Sequence, residues 1–137
     1  MTPPILRIAV PSPLHRLFDY LPPLAAHPLP RPGQRVRVPF GRGECVGVLV
    51  EVVPHSEVPA ERLRPAAAIL DDQPLLPEEL LALLAWSCSY YHHPPGEVYA
   101  TALPLLLRSG GEANSRGVVR WRLTAEGRTI APTSLGR

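Results

Sequence analysis

Nineteen prolines divide this 137-residue chain into short segments, and they limit the length of every helix and strand that it can form. Proline fixes φ and lacks a backbone N–H, so it ends helices and is kept out of the central strands of a sheet. Ten glycines add further positions for turns. Because 45% of the residues are hydrophobic, we expect a globular body built from short elements joined by rigid turns.

Apolar and β-branched residues predict strands in the first half of the chain. The predicted strands are residues 5–10, 14–22, 34–40 and 45–53, with a further short one at 66–70. The third and fourth flank a glycine-containing turn and predict a β-hairpin. Gly47, inside the second arm of this hairpin, indicates a bulge or a close approach of another backbone segment.

Residues 77–93 predict the main helix, because leucines recur there at helical spacing. Glu78 and Glu79 lie in its first turn, where the helix dipole favours anions, and Pro94 ends it. We therefore predict an α+β fold. Its body is a small antiparallel sheet or a partly open barrel, with one main C-terminal helix and a poorly ordered tail.

Composition divides the chain into three parts. Residues 1–107 form the predicted body, and the polar, glycine-rich residues 108–117 are a predicted linker. Residues 118–137 hold an amphipathic strand followed by a turn. Since a lone strand has little to pack on, we expect this last part to be the start of an incomplete second domain.

All 14 basic residues are arginine, and they are unevenly distributed. Residues 1–43 carry a net charge of +5, residues 44–107 carry −7 and residues 108–137 carry +4. The basic front is compatible with polyanion binding, although charge alone is weak support for it. We find no signal peptide and no apolar run long enough to span a membrane, so we expect a cytoplasmic protein.

Motifs for catalysis, metal binding and cofactor binding are lacking. His92 and His93 are adjacent on the predicted helix and point about 100° apart, so they are poorly placed to share one metal. Cys45 and Cys88 have no metal-ligand spacing and are expected to be small buried residues. No phosphate-binding loop or nucleophile elbow is present. We expect no cofactor and no enzyme activity, although a small hydrolase using His92 or His93 is the weakest alternative.

The chain places an acid, Asp19, between two scarce aromatic residues, Phe18 and Tyr20. In a strand, the two rings share one face and the acid points to the other. Two interpretations remain open. Either the rings belong to the core and Asp19 is solvated or caps a turn, or the three residues form a pocket. A carboxylate accepts a hydrogen bond from a terminal hydroxyl but repels a phosphodiester, so such a pocket suits the end of a nucleic-acid strand.

The hairpin carries three arginines. Arg35 and Arg37 alternate with valines along the first arm, and Arg42 lies in the turn. They form either a solvated sheet face or a shallow basic surface that contacts nucleic-acid phosphates.

Several motifs in order resemble one family. They are Phe18–Tyr20 (FDY), Gly33–Arg42 (GQRVRVPFGR), Leu70–Leu76 (LDDQPLL) and Tyr90–Gly110 (YYHHPPGEVYATALPLLLRSG). Over about residues 5–110 the chain resembles the amino-terminal 3′-DNA-end binding domain of the PriA family of replication-restart helicases. Residues 118–130 resemble the opening of the winged-helix domain that follows in that family.

This resemblance implies a module that binds the 3′-hydroxyl end of a nascent strand at a stalled fork during primosome assembly. By position, Phe18, Asp19, Tyr20, Gly41 and Arg64 would bind the terminal nucleotide, with Asp19 accepting the 3′-hydroxyl proton. Arg64 stands where the family often has lysine. DNA is the expected partner, with other primosome or single-strand-binding proteins as further candidates and a monomer as the expected state. The alternative is a structural module that docks on a helicase core or another replication protein.

Overall fold

Five strands form one antiparallel sheet in the order β2–β1–β4–β3–β5. The computed structural model describes residues 3–26, 28–114, 117 and 119–130. The strands are β1 (Ile5–Ala9), β2 (Phe18–Tyr20), β3 (Arg35–Phe40), β4 (Gly43–Val53) and β5 (Ala68–Ile69). The α-helices are α1 (Glu78–Tyr91), α2 (Pro95–Thr101), α3 (Leu105–Arg108) and α4 (Ala125–Thr129), and a 3-10 turn spans Ala60–Arg62. The α+β prediction is confirmed, with two short helices added after the main one.

The segment from residue 64 to residue 70 links the two edges of the sheet. On one side, Leu21 donates to Arg64 O at 2.9 Å and accepts from the N–H of Ala66 at 2.9 Å. On the other side, the N–H groups of Ala67 and Leu70 donate to main-chain oxygens of β3 at 2.8 and 2.9 Å. The sheet is therefore curled so that β2 and β3 approach each other across this segment. This arrangement agrees with the partly open barrel that the sequence predicts.

Both faces of the curled sheet are covered. The inner face forms the first core, consisting of Leu6, Ile8, Val10, Tyr20, Val36, Val38, Leu49 and Ala66. Helices α1 and α2 pack on the outer face and form the second core, consisting of Ala9, Val48, Leu76, Leu84, Tyr99 and Leu103. Strands β1 and β4 therefore contribute side chains to both cores, because successive residues point to opposite faces.

Two glycines permit close contacts between β1, β4 and α2. A Cβ on Gly47 would lie 2.5 Å from Ile8 Cγ2 and 2.8 Å from the carbonyl oxygen of Ala9, and the second contact confirms the close backbone approach predicted at this position. A Cβ on Gly96, at the start of α2, would lie 1.7 Å from the carbonyl oxygen of Val10. Helix α2 can therefore sit directly against the end of β1 only because residue 96 has no side chain.

Helix α1 ends close to the predicted position. His92 is its C-terminal cap and adopts a left-handed conformation with φ of 50°. His93 Nε2 lies 2.8 Å from Glu97 Oε2, so the second histidine pairs with the next helix. The adjacent histidines thus serve the turn between α1 and α2. Among the described residues, none of the helices combines the length and apolarity that crossing a membrane requires.

Two strand predictions were wrong in extent. Residues 11–16 form bends, so β2 is limited to three residues. Residues 119–124 form no strand, and the predicted turn after them is the single helical turn α4, capped by Thr124. An isolated extended segment has no partner for its backbone groups in the described part of the chain, which explains why it is not a strand. Residues 118 and 131–137 of this prediction lie outside the described residues.

Candidate nucleic-acid interface

Asp19 lies at the centre of β2, directly opposite Arg7 of β1. Arg7 Nε donates to Asp19 Oδ1 at 3.3 Å, and Arg7 Nη1 donates to Glu51 Oε1 of β4 at 2.9 Å. The hydrogen bond to Glu51 and the charges of both acids raise the pKa of Arg7 above its ordinary value, against a smaller opposing effect of burial. One guanidinium therefore bridges carboxylates on both neighbouring strands.

The carboxylate of Asp19 is hydrogen-bonded to the protein but remains accessible from solvent. Its side chain is 10% exposed, and Oδ2 accepts a hydrogen bond from the hydroxyl of Ser56. It borders an open cleft that is lined by Arg7, Arg16, Leu17, Asp19, Glu57 and Val58. Each carboxylate oxygen has two acceptor sites, and the residues that the structure describes occupy one on each. Asp19 can thus accept a further hydrogen bond from a hydroxyl that enters the cleft.

The aromatic residues lie on the opposite face of β2, as the strand alternation predicts. Phe18 packs edge-on against Phe40, with ring centroids 5.2 Å apart. The guanidinium carbon of Arg16 lies 4.7 Å from the centroid of Phe18, on a ring that is only partly buried. Phe18 therefore forms a small aromatic cluster with Phe40, with a cation over its ring, at the edge of the sheet.

Tyr20 lies in the inner core and does not line an open pocket. It is only 6% exposed, and its hydroxyl donates to the carbonyl oxygen of Pro39 at 2.9 Å. Burial raises the pKa of Tyr20, with a smaller contribution from Cys45, while the nearby charge of Arg64 lowers it. The Tyr20 ring therefore fills the inner core and joins β2 to β3, in line with the first of the two interpretations, and its contact with a terminal nucleotide stays a prediction.

The backbone of β2 offers hydrogen-bonding groups at its free edge. Leu21 directs its N–H and C=O away from β1, towards Arg64 and Ala66. Since backbone groups alternate sides along an antiparallel strand, Asp19 directs its own N–H and C=O to the same side. The pairing with Arg64 and Ala66 begins only at Leu21, and within the described part of the chain no backbone group pairs with this edge beside Asp19. A ligand at the edge would meet the main chain and the side chain of one residue.

Gly41 and Arg64 flank the aromatic end of this edge. Gly41 follows Phe40 in the hairpin turn with φ of +60°, and no atom lies within 4 Å of the position of a Cβ there. Arg64 is exposed and starts the segment that pairs with Leu21. Both residues therefore lie around the same rim as Phe18, and the space above Gly41 is free for a ligand.

The predicted basic face of the hairpin does not form as expected. Arg35 is 1% exposed, and its guanidinium pairs with Asp71 at 2.7 Å. Its assignment as a DNA-backbone contact was therefore wrong, because the outer face of β3 is covered by the chain around residues 107–111. Arg37 is half-buried on the same face, whereas Arg42 is exposed in the turn next to Gly41. Of the three arginines, Arg42 is the best placed for a phosphate.

Four residues of this region were not predicted as site residues: Arg7, Arg16, Phe40 and Ser56. The sequence alone could have indicated Arg7, since it is the single charged residue in the apolar strand Ile5–Ala9. A charge there needs a partner, but the cross-strand register that supplies Asp19 depends on the tertiary structure. Ser56 lies in a polar connection, and nothing in its local sequence distinguishes it.

Comparison with known proteins identifies the family. Residues 7–104 match the family model PriA_3primeBD, described as a 3′ DNA-binding domain. The chain belongs to this family. It is 36% identical over 124 residues to the replication restart protein PriA of Haemophilus influenzae, and 25% identical over 126 residues to PriA of Buchnera aphidicola subsp. Acyrthosiphon pisum. These matches cover 90% and 92% of this chain but 17% of each relative.

The matched region coincides with the curled sheet and its helices. It includes the hairpin, the free edge of β2 and α1, and it ends directly before α3. The chain is thus a DNA-binding module of the replication restart protein PriA family, and it spans about a sixth of the length of these two relatives.

Proposed function

We propose that this module binds the terminal nucleotide of a DNA strand at the free edge of β2 and identifies it by its 3′-hydroxyl. The observation that carries the proposal is the carboxylate of Asp19, which borders an open cleft and retains unoccupied acceptor sites. A hydroxyl donates to a carboxylate, whereas a phosphodiester that continues the strand brings negative charge against it. Asp19 thus favours an end over an interior position.

The surrounding residues would contact the other parts of the nucleotide. The partly exposed ring of Phe18, which is stiffened by Phe40, offers a surface for a sugar or base. Tyr20 supports this surface from the core and holds β2 against β3. The open space above Gly41 admits the nucleotide, and Arg64 and Arg42 lie at the rim, where a guanidinium can contact the preceding phosphates.

Arg7 and Ser56 act by orienting the carboxylate. Each binds one oxygen of Asp19, so the plane of the carboxylate is fixed before a ligand arrives. Pre-organisation of this kind reduces the entropy that is lost on binding. Arg7 also offsets the charge of Asp19, which lowers the repulsion of a DNA strand as a whole.

The wider role follows from the family. In a PriA-type protein, such a module would direct the molecule to the nascent 3′ end at a stalled fork, where replication restarts. Unwinding and ATP hydrolysis would then belong to parts of the protein outside the matched 3′ DNA-binding domain. We expect the isolated chain to bind DNA as a monomer without ATPase activity.

A comparison of linear and circular DNA tests the proposal. A 20-nucleotide single strand with a free 3′-hydroxyl is compared with the same sequence ligated into a circle, using fluorescence anisotropy at low salt. The linear strand should bind at least ~10-fold more tightly, which corresponds to one charge-assisted hydrogen bond. Blocking the 5′ end of the linear strand should leave its affinity unchanged. Equal affinities for the circle and the linear strand would refute end recognition.

An exposed aromatic cluster favours docking on another protein as a second function. Trp86 stacks on Tyr90 with centroids 4.8 Å apart, although Trp86 is 53% exposed, and Tyr91 packs against both. Residues 65–107 contain acids but no arginine or lysine, so this side of the molecule disfavours DNA. If docking is a second function, Trp86→Ala will abolish capture of a primosome protein by the immobilised chain and will leave DNA binding at low salt unchanged.

A further inference from the structure

The most completely buried ionic contact of the described residues lies outside the nucleotide site. The side chains of Arg35 and Asp71 are 2% and 4% exposed. Asp71 Oδ1 lies 2.7 Å from Arg35 Nη2, and Asp71 Oδ2 lies 3.1 Å from Arg35 Nε. Asp71 Oδ2 also accepts the main-chain N–H of Arg35 at 2.8 Å. This bidentate geometry holds the guanidinium in one plane and one orientation.

The other edge of the same guanidinium binds the C-terminal end of the body. Arg35 Nη1 donates to the carbonyl oxygens of Leu107 and Gly111, both at 2.8 Å. Four of the five N–H donors of the guanidinium are therefore engaged, two by Asp71 and two by the chain around α3. Lysine carries a compact charge without this planar fork and cannot reproduce the set.

The turn after α3 packs closely on the arginines of β3. Gly110 has φ of +88°, and a Cβ there would lie 2.8 Å from Arg37 Nη2. Gly110 and Gly111 donate their N–H groups to Leu107 O and Leu106 O, so the turn after α3 is closed. The part of the predicted linker up to Gly111 is thus bonded to the body, and the residues that follow it, 112–114, are exposed.

We propose that Arg35 and Asp71 form a clamp that fixes the point and direction in which the chain leaves the DNA-binding body. The clamp is built on β3, the strand that ends at Phe40 and Gly41 on the nucleotide rim. One strand therefore carries both a part of the nucleotide rim, at Phe40, and the residue that binds the exit of the chain. Residues beyond Gly111 start from a defined position relative to the bound end, and Arg35 is a positioning residue for them.

Hydrogen–deuterium exchange of the full 137-residue chain, without DNA, tests this proposal. The readout is the exchange of the amides of Ser109, Gly110 and Gly111, which are bonded within the turn after α3. In Asp71→Asn, we expect these amides to exchange at least ~10-fold faster, because the guanidinium loses its fixed orientation. Amides of the β1–β4 pair should keep their protection. Asp72→Asn, an exposed neighbour, is the matched control and should exchange like the wild type.

A second variant keeps the test decisive if Asp71→Asn fails to fold. Gly110→Ala leaves the ion pair intact but strains the left-handed backbone and presses on Arg37. It should release Gly111 O from Arg35 and give the same local acceleration in a folded protein. Unchanged exchange of residues 109–111 in either folded variant would overturn the clamp. Because no DNA is present, this result is independent of whether the module binds a 3′ end.

Discussion

Arg7 and Asp19 face each other across the β1–β2 pair, and Arg7 Nε donates to Asp19 Oδ1 at 3.3 Å. Their positions form a pair without reciprocal backbone hydrogen bonds, since Asp19 turns its backbone groups to the free edge. Side chains approach most closely at such positions. The contact explains how a carboxylate at the edge of a small sheet is oriented and still accessible from a cleft.

Removal of Arg7 should affect end recognition more than stability. Arg7→Met leaves Asp19 held by Ser56 alone, so the preference for a 3′-hydroxyl over a 3′-phosphate should fall several-fold. The side chain of Arg7 is a third exposed, so unfolding in urea should change by no more than about 1 kcal/mol. Glu51→Gln is the matched control, because it removes the charge of the other partner of Arg7 and leaves Asp19 paired. A loss of end preference in Glu51→Gln but not in Arg7→Met would contradict the assigned role.

Arg42 should contribute to affinity without distinguishing the two kinds of end. Arg42→Gln removes an exposed guanidinium beside Gly41, and we expect weaker binding of 3′-hydroxyl and 3′-phosphate strands by equal factors. The slope of log K against log salt should become shallower by about 0.7 for one lost phosphate contact to a single strand. Arg31→Gln, an exposed arginine whose side chain bonds to Gln73, should leave both quantities unchanged. An unchanged salt slope in Arg42→Gln would remove Arg42 from the interface.

Tyr99 should make the fold sensitive to high pH. It is 2% exposed in the second core, and burial raises its pKa to about 12. An unfolded tyrosine ionises near pH 10, so the stabilisation is fully present below about pH 10 and is lost as pH rises to about 12. The free energy of unfolding should fall by about 3 kcal/mol over that range from this residue.

Urea unfolding at several pH values measures this effect. Tyr99→Phe should flatten the decline between pH 10 and 12, although Tyr20, whose pKa burial also raises, leaves a residual slope. Tyr90→Phe alters a tyrosine on the exposed face of α1 and should follow the wild-type curve. Identical curves for Tyr99→Phe and the wild type would show that Tyr99 does not titrate with unfolding.

Local sequence signals predicted the elements whose causes are local. The hairpin was predicted from alternating valines and a glycine turn, and the end of α1 from Pro94. Gly47 was predicted to permit a close backbone approach, and the carbonyl oxygen of Ala9 provides it. These signals are properties of a few neighbouring residues, so no tertiary information is needed to interpret them.

The placement of the arginines depends on contacts that are distant in sequence. Alternation correctly put Arg35 and Arg37 on one face of β3, and that face was interpreted as solvent-exposed. It is covered because Asp71 and the residues around α3 return to it from 36 and more than 70 positions away. A strand pattern shows which residues share a face, but it does not show how many layers cover the sheet. For the same reason, the strand pattern did not show that Arg7 pairs with Asp19.

The central claim is that the carboxylate of Asp19 distinguishes a free 3′-hydroxyl from a strand that continues. It is tested most directly by the ratio of dissociation constants for one oligonucleotide ending in 3′-phosphate or in 3′-hydroxyl, measured by anisotropy for the wild type and for Asp19→Ala. Glu57→Ala is the matched control, since Glu57 lines the same cleft.

For the wild type and for Glu57→Ala, we predict a ratio of at least ~10, equivalent to about 1–3 kcal/mol for a lost charge-assisted bond and a new repulsion. For Asp19→Ala, the ratio should fall to about 1 or below, because Arg7 then faces the terminal group unopposed. A ratio near 1 for the wild type, or an undiminished ratio for Asp19→Ala, would contradict the account.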